Sequence, residues 1–252
     1  MLVAFWSSAE IRTGVTTNAA LISHFYAQRY KKRVALFENH VPGRYSLEDI
    51  LVGKRNLPFA FEEPIYYGRN NYINYYYGLM KAGLPVNGIG NAAVRMADGK
   101  LYYFPQVSSN HNLFDYEMNK IIDRLLDELL VRYEVVFVDL KKTRTLTTKR
   151  ISEHSFDKDK TCLLVSRYKK NENIGFDKFI STYSTDDVSI SYIPYCESLL
   201  GICKNGSLSS FLTKNLWSTR GEKTFELISQ LRKITAYIKI QSDNDSQTEI
   251  NV

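Results

Sequence analysis

Cysteine is scarce. Cys162, Cys196 and Cys203 are the three in 252 residues, widely spaced and without a C-x-x-C pair. That sets aside a disulfide framework and a cysteine zinc site, and it fits a reducing, cytoplasmic setting. Histidine is as sparse: His24, His40, His111 and His154 are scattered, whereas a histidine metal site needs clustered ligands. No apolar run approaches the roughly 20 residues of a membrane-spanning helix. The first residues lack the charged-then-apolar pattern of a secretory signal and open directly into a strand-like run. No nucleophilic triad, close carboxylate pair or metal-ligand cluster stands out.

What is present is a chain 44% hydrophobic and 24% charged, enough for a sizeable core. We read it as one α/β domain over 1–240 with a polar, disordered tail at 241–252. Net charge is +6 and the isoelectric point about 9.0. That balance suits a solvated basic surface, or contact with DNA or an anionic membrane, and charge alone does not choose between them.

The most informative stretch is the first. Leu2 to Trp6 is a short apolar run, as in a buried strand. Ser7 to Val15 break it, and Thr16-Thr17-Asn18 supply helix-start chemistry before a helix expected over Thr16–Tyr30. Ala20, Leu21, Ile22, Phe25 and Ala27 give it an apolar face, and Arg29 to Arg33 close it with positive charge. Val34–Phe37 follows as a second strand, so the chain opens on a right-handed βαβ unit. A helix start after a buried strand favours an anion at that point.

The loop resembles the phosphate loop of the ParA/MinD family of P-loop NTPases, K-G-G-x-G-K-T-T. In that alignment Glu10 falls on the first Lys, Ile11 and Arg12 on the two Gly, and Thr13 on the variable position. Gly14 matches the third Gly, Val15 falls on the phosphate-binding Lys, and Thr16-Thr17 match T-T. Phe5-Trp6-Ser7 and Gly14-Val15-Thr16-Thr17-Asn18 are similar to a lysine-less Firmicutes branch of that family, related to the TadZ/CpaE pilus-assembly proteins. The resemblance implies an α/β fold: a doubly wound, mostly parallel sheet with helices on both faces. It also implies ATP with Mg as the ligand, held by Thr13, Gly14, Val15, Thr16 and Thr17. Losing the lysine removes a point charge from the phosphates and weakens both binding and hydrolysis.

Further residues extend the likeness. Glu38-Asn39-His40 stands where the family carries D-x-D, so Glu38 stands in for the first carboxylate, but the second is lost, replaced by His40. The bland alternative is a polar strand end. Ser46-Leu47-Glu48-Asp49 opens a short helix, as in the family. The segment from Asn56 to Gly99 is irregular and rich in Gly and Pro. Within it a helix is expected over Asn70–Ala82, with Tyr72, Tyr75, Tyr76, Leu79 and Met80 on one stripe, either packed or offered to a partner. Phe114–Tyr133 is the clearest helix, apolar at every third or fourth position. It runs into Glu134-Val135-Val136-Phe137-Val138-Asp139, which resembles the Walker B strand, and Asp139 with Thr16 would then hold Mg. Lys141, Lys142 or Arg144 is a source of the charge Val15 lacks, or else part of a solvated loop.

Strands are expected at Lys160–Ser166 and Val188–Ile193, and a helix around Phe176–Tyr183. In relatives the loop after the last strand lies near the purine, which implies that Pro194 and Tyr195 line a base site. Glu222–Ile240 reads as an amphipathic helix, packed on the domain or, as in MinD-type proteins, set on the inner face of a membrane. The resemblance therefore implies a positioning or assembly factor, with protein partners and a homodimer, acting on a pilus or secretion machine, with weak or absent ATP binding. A slow Mg-ATPase using Glu38 and Asp139, and a partition protein on DNA or membrane, are the alternatives.

Overall fold

The computed structural model describes residues 1–7, 14–39, 47–51, 73–104, 111–140, 162–169 and 189–250. Glu10 to Thr13, His40, Ser46, Tyr72, the run Lys141–Arg150 and the helix expected around Phe176–Tyr183 lie outside the described residues.

The chain runs β1 (Leu2–Phe5), α1 (Val15–Tyr30), β2 (Val34–Glu38), α2 (Leu47–Leu51), α3 (Ile73–Lys81), a 3₁₀ turn (Ile89–Ala92), β3 (Val94–Met96) and β4 (Leu101–Phe104). It continues with α4 (His111–Arg132), β5 (Val135–Asp139), β6 (Cys162–Tyr168), β7 (Ser189–Pro194), α5 (Glu197–Lys204), α6 (Leu208–Asn215) and α7 (Phe225–Ile250). Five strands form one sheet in the order β1-β5-β2-β4-β3, and β6 and β7 form a parallel pair. All neighbours in the larger sheet are parallel except β3, which runs antiparallel on β4. This is the doubly wound, mostly parallel sheet that the sequence predicts.

The strand alternation decides which helix covers which face. Val34 and Leu36 of β2, with Leu101, Tyr103, Val135 and Phe137, pack against α1, α2, α5, α6 and α7. Ala35 and Phe37, with Tyr102, Phe104, Val136 and Val138, pack against α3 and α4. Every residue of β2 and β5 is buried, which is why both read as unbroken apolar runs rather than alternating ones.

Four expectations change. Helix α1 has no single apolar face: Asn18 through Gln28 are all buried, because sheet, α2, α6 and α7 surround it. Strand β3 is an addition, joined to β4 through Ala97, Asp98 and Gly99, all at positive φ, and Asp98-Gly99 is its sequence signal. In α3 the buried stripe is Tyr76, Tyr77 and Met80, while Tyr75 is exposed. The polar tail is not loose coil: α7 continues through Ile250. Ser242 is buried there, and Lys239 bridges to Asp243 one turn on and to Glu134 at 3.6 Å. Those contacts reach as far as Asp243.

Candidate functional site

Strand β1 ends at Phe5, and α1 begins ten residues later at Val15. Gly14 caps the helix at φ 77°, the left-handed region that favours glycine. A Cβ on Gly14 would stand 3.3 Å from the Ser166 Cβ and 3.4 Å from its Oγ, so the position is closed to larger residues on two grounds. The first helical bond runs from Asn18 N to Gly14 O at 2.8 Å. The amides of Val15, Thr16 and Thr17 therefore precede the helical ladder, and Gly14 at the cap offers them no side chain. Val15, Thr16 and Thr17 are half-buried, so the turn is lined by protein and still reachable.

The carboxylates lie at the same end of the sheet. Asp139 closes β5, with Phe5 of β1 opposite it on one side and Glu38 of β2 opposite it on the other. Asp139 and Glu38 are both buried. One Glu38 oxygen accepts the Leu47 amide at 2.6 Å, holding the first turn of α2, and the other accepts the Tyr103 hydroxyl at 3.4 Å. Asn39 donates its backbone N–H to Asp139 O at 2.9 Å. Its side-chain amide is buried and makes no hydrogen bond among the described residues.

Strand β6 supplies the third side. Asn18 donates through Nδ2 to Ser166 Oγ at 2.6 Å, tying the first turn of α1 to β6. Pairing with β7 is regular up to Val165 opposite Tyr192 and resumes at Tyr168 opposite Pro194. Ser166 and Arg167 together face one residue, Ile193, which makes a β-bulge. Arg167 takes φ 58°, a conformation that disfavours a branched or long side chain by about 1 kcal/mol. Beyond the bulge, Tyr195 donates its amide to Tyr168 O at 2.8 Å, and its ring is flanked by Lys169 Nζ at 4.6 Å and the Arg167 guanidinium at 5.8 Å.

No protein-family model and no curated protein matches the sequence. Solved structures do. The chain is similar to the cell division ATPase MinD of Pyrococcus furiosus, with TM-score 0.59 and 11% identity over 95% of this chain and 98% of that one. It is similar to a chain of the MinC:MinD cell division protein complex of Aquifex aeolicus, with TM-score 0.59 and 16% identity over 93% and 95%. A putative plasmid partition protein from Borrelia burgdorferi bound to AMPPNP gives TM-score 0.52 and 12% identity over 95% and 98%. The chain has the MinD/ParA-type P-loop fold.

In this fold the predicted site residues fall as follows. Gly14, Val15, Thr16 and Thr17 form the helix start, and Asp139 and Glu38 lie side by side at the adjoining strand ends. Pro194 is buried and Tyr195 half-buried at the end of β7. Thr13 and the cations Lys141, Lys142 and Arg144 lie outside the described residues. The helix starts at Val15, one residue before the expected Thr16, because Gly14 rather than a Ser/Thr/Asn side chain makes the cap. Asn18 consequently faces β6 instead of capping. Sequence reasoning missed Ser166, Arg167 and the orphaned Asn39 amide. Asn39 sat inside a noted motif, whereas a bulge carries no local sequence signature.

Proposed function

We propose that this chain is a degenerate MinD/ParA-type positioning or assembly protein that binds ATP with Mg weakly at the start of α1. The observation that carries the reading is Gly14 in the left-handed region against Ser166, ahead of three amides that precede the helical ladder. Such a turn accepts phosphate oxygens through backbone N–H groups and the helix dipole. Bound Mg would neutralise phosphate charge, and the Thr16 hydroxyl with Asp139 would hold it. Glu38, engaged with Leu47 and Tyr103, serves as a structural carboxylate, which suits slow or absent turnover. Val15 adds no charge to the turn, which suits weak affinity.

The likeness of Phe5-Trp6-Ser7 and Gly14–Asn18 to the lysine-less, TadZ-related branch supports a setting in pilus or secretion-machine assembly, with a protein partner and a homodimer. Leu227, Ile228, Leu231, Ile234 and Ile238 of α7 are buried in the core, which favours the packed reading of that helix over a membrane-bound one. No described helix is long and apolar enough to cross a membrane.

Thermal unfolding with Mg-ATP tests this reading. A ligand that binds the native state raises the midpoint by mass action. We expect a rise at millimolar Mg-ATP that Thr16→Ala and Asp139→Asn diminish. An unchanged midpoint at millimolar nucleotide contradicts it.

A further inference from the structure

We propose that the connection between α6 and α7 docks this protein on an anionic phospholipid surface, with Trp217 entering the headgroup layer and Lys214, Arg220 and Lys223 meeting lipid phosphates. The inference is independent of the nucleotide reading. It also leaves aside the apolar face of α7, which is buried in the core.

Trp217 is 77% exposed. In a loose loop such a ring would mean little, but this connection is held from both sides. Leu216 keeps helical dihedral angles beyond the end of α6, and Ser218 donates its amide to Asn215 O at 2.9 Å. The buried Ser218 hydroxyl donates to one Glu222 oxygen at 2.8 Å. The Thr219 hydroxyl and amide donate to the other at 2.9 and 3.3 Å. Thr224 donates to Asn215 Oδ1 at 2.8 Å, and Arg232 of α7 donates to the Leu216 and Ser218 carbonyls at 2.9 and 3.2 Å. These bonds engage the polar groups of the segment and leave the indole outside, already ordered, so docking loses little chain entropy. They also satisfy backbone groups that would otherwise go unpaired away from water.

The net charge beside the ring is positive. The segment 214–223 carries Lys214, Arg220 and Lys223 and a single carboxylate, Glu222, which Ser218 and Thr219 engage. The three cations are exposed and make no ion pair among the described residues. Helical backbone through Leu216 puts Lys214 and Trp217, three residues apart, on one face. An indole beside cations suits an anionic bilayer, where the ring sits at headgroup level and each Lys or Arg is drawn to the surface. A protein-binding anchor sits instead within contacts that exclude water. The exposed residues next to Trp217 in the chain, Lys214, Thr219 and Arg220, are polar. Single-stranded nucleic acid calls for successive stacking rings, and Trp217 is the one aromatic residue in 214–223.

The sequence holds two tryptophans, so Trp6→Phe leaves Trp217 as the sole reporter. The test titrates full-length Trp6→Phe protein at low salt with phosphatidylglycerol vesicles and, separately, with phosphatidylcholine vesicles. We expect a blue shift of Trp217 emission with phosphatidylglycerol alone, quenched by a lipid labelled near the headgroup and reversed at high salt. In vesicle co-sedimentation, Trp217→Ala weakens binding by about tenfold or more. Lys214→Gln, Arg220→Gln and Lys223→Gln weaken it by about fivefold each. The thermal midpoint of Trp217→Ala without vesicles stays that of the wild type, because the ring is exposed. Absence of binding to phosphatidylglycerol vesicles at low salt overturns the proposal, and so does binding undiminished in Trp217→Ala. Equal binding to both kinds of vesicle leaves the cations without a role and overturns it too. A blue shift with a single-stranded oligonucleotide but not with vesicles assigns the loop to nucleic acid, which also overturns it.

Discussion

At the scale of single residues, His24 is the clearest instance of a group whose surroundings set its chemistry. It lies in the middle of α1, fully buried, and neither ring nitrogen has a hydrogen-bond partner among the described residues. Burial pushes its pKa down to about 4, with the Asp98 charge opposing that shift. The unfolded chain therefore takes the proton more readily than the folded one. Stability from a neutral His24 is complete above the ordinary value of 6.5 and is lost as pH falls from there toward 4. Between neutral pH and about pH 5 the loss is about 2 kcal/mol. We expect urea unfolding to show that loss in the wild type and a smaller one in His24→Leu, which has no proton to take up. An equal acid loss in both proteins contradicts the assignment. Gly14 makes the complementary point: its identity is fixed by backbone conformation and by the nearness of Ser166, not by any contact of its own.

At the scale of elements, Glu134 joins three parts of the chain. It accepts a hydrogen bond from the Tyr26 hydroxyl of α1 at 3.2 Å, meets Lys32 at 2.8 Å and meets Lys239 of α7 at 3.6 Å. Lys239 then pairs with Asp243. The last part of α7 is thus structural. Truncation after Ile240 removes the buried Ser242 and the Asp243 partner, and we expect the thermal midpoint to drop by several degrees, on the order of 1–2 kcal/mol for this size of chain. A truncated protein as stable as the full chain contradicts a structural role for that segment. The elements legible in the sequence are those whose burial is uniform or one-sided: β2 and β5 as unbroken apolar runs, and α4 by its repeat. Helix α1 is found but misread, because a helix enclosed on all sides has little amphipathic pattern. Strand β3 is only three residues long and is signalled by the Asp98-Gly99 turn alone, and the β6 bulge depends on its pairing with β7, so local composition marks the first by its turn and the second not at all. Lys239, just before the last turns of α7, is held by Glu134 more than 100 positions away, which no local window contains.

At the scale of the molecule, the order of strands brings the site together. With β5 between β1 and β2, the ends of three strands from distant parts of the sequence meet beside one helix start. The motif residues Gly14, Thr16 and Asp139 were legible because each stands at a strand or helix end. The side of the site built by β6 was not. The most direct measurement is calorimetric titration of Mg-ATP into the full-length protein at low salt. We predict saturable heat with a dissociation constant in the micromolar to millimolar range, equivalent to about 4–8 kcal/mol of binding free energy. No heat at millimolar Mg-ATP would contradict a nucleotide site and leave the α1 turn a structural feature of the fold.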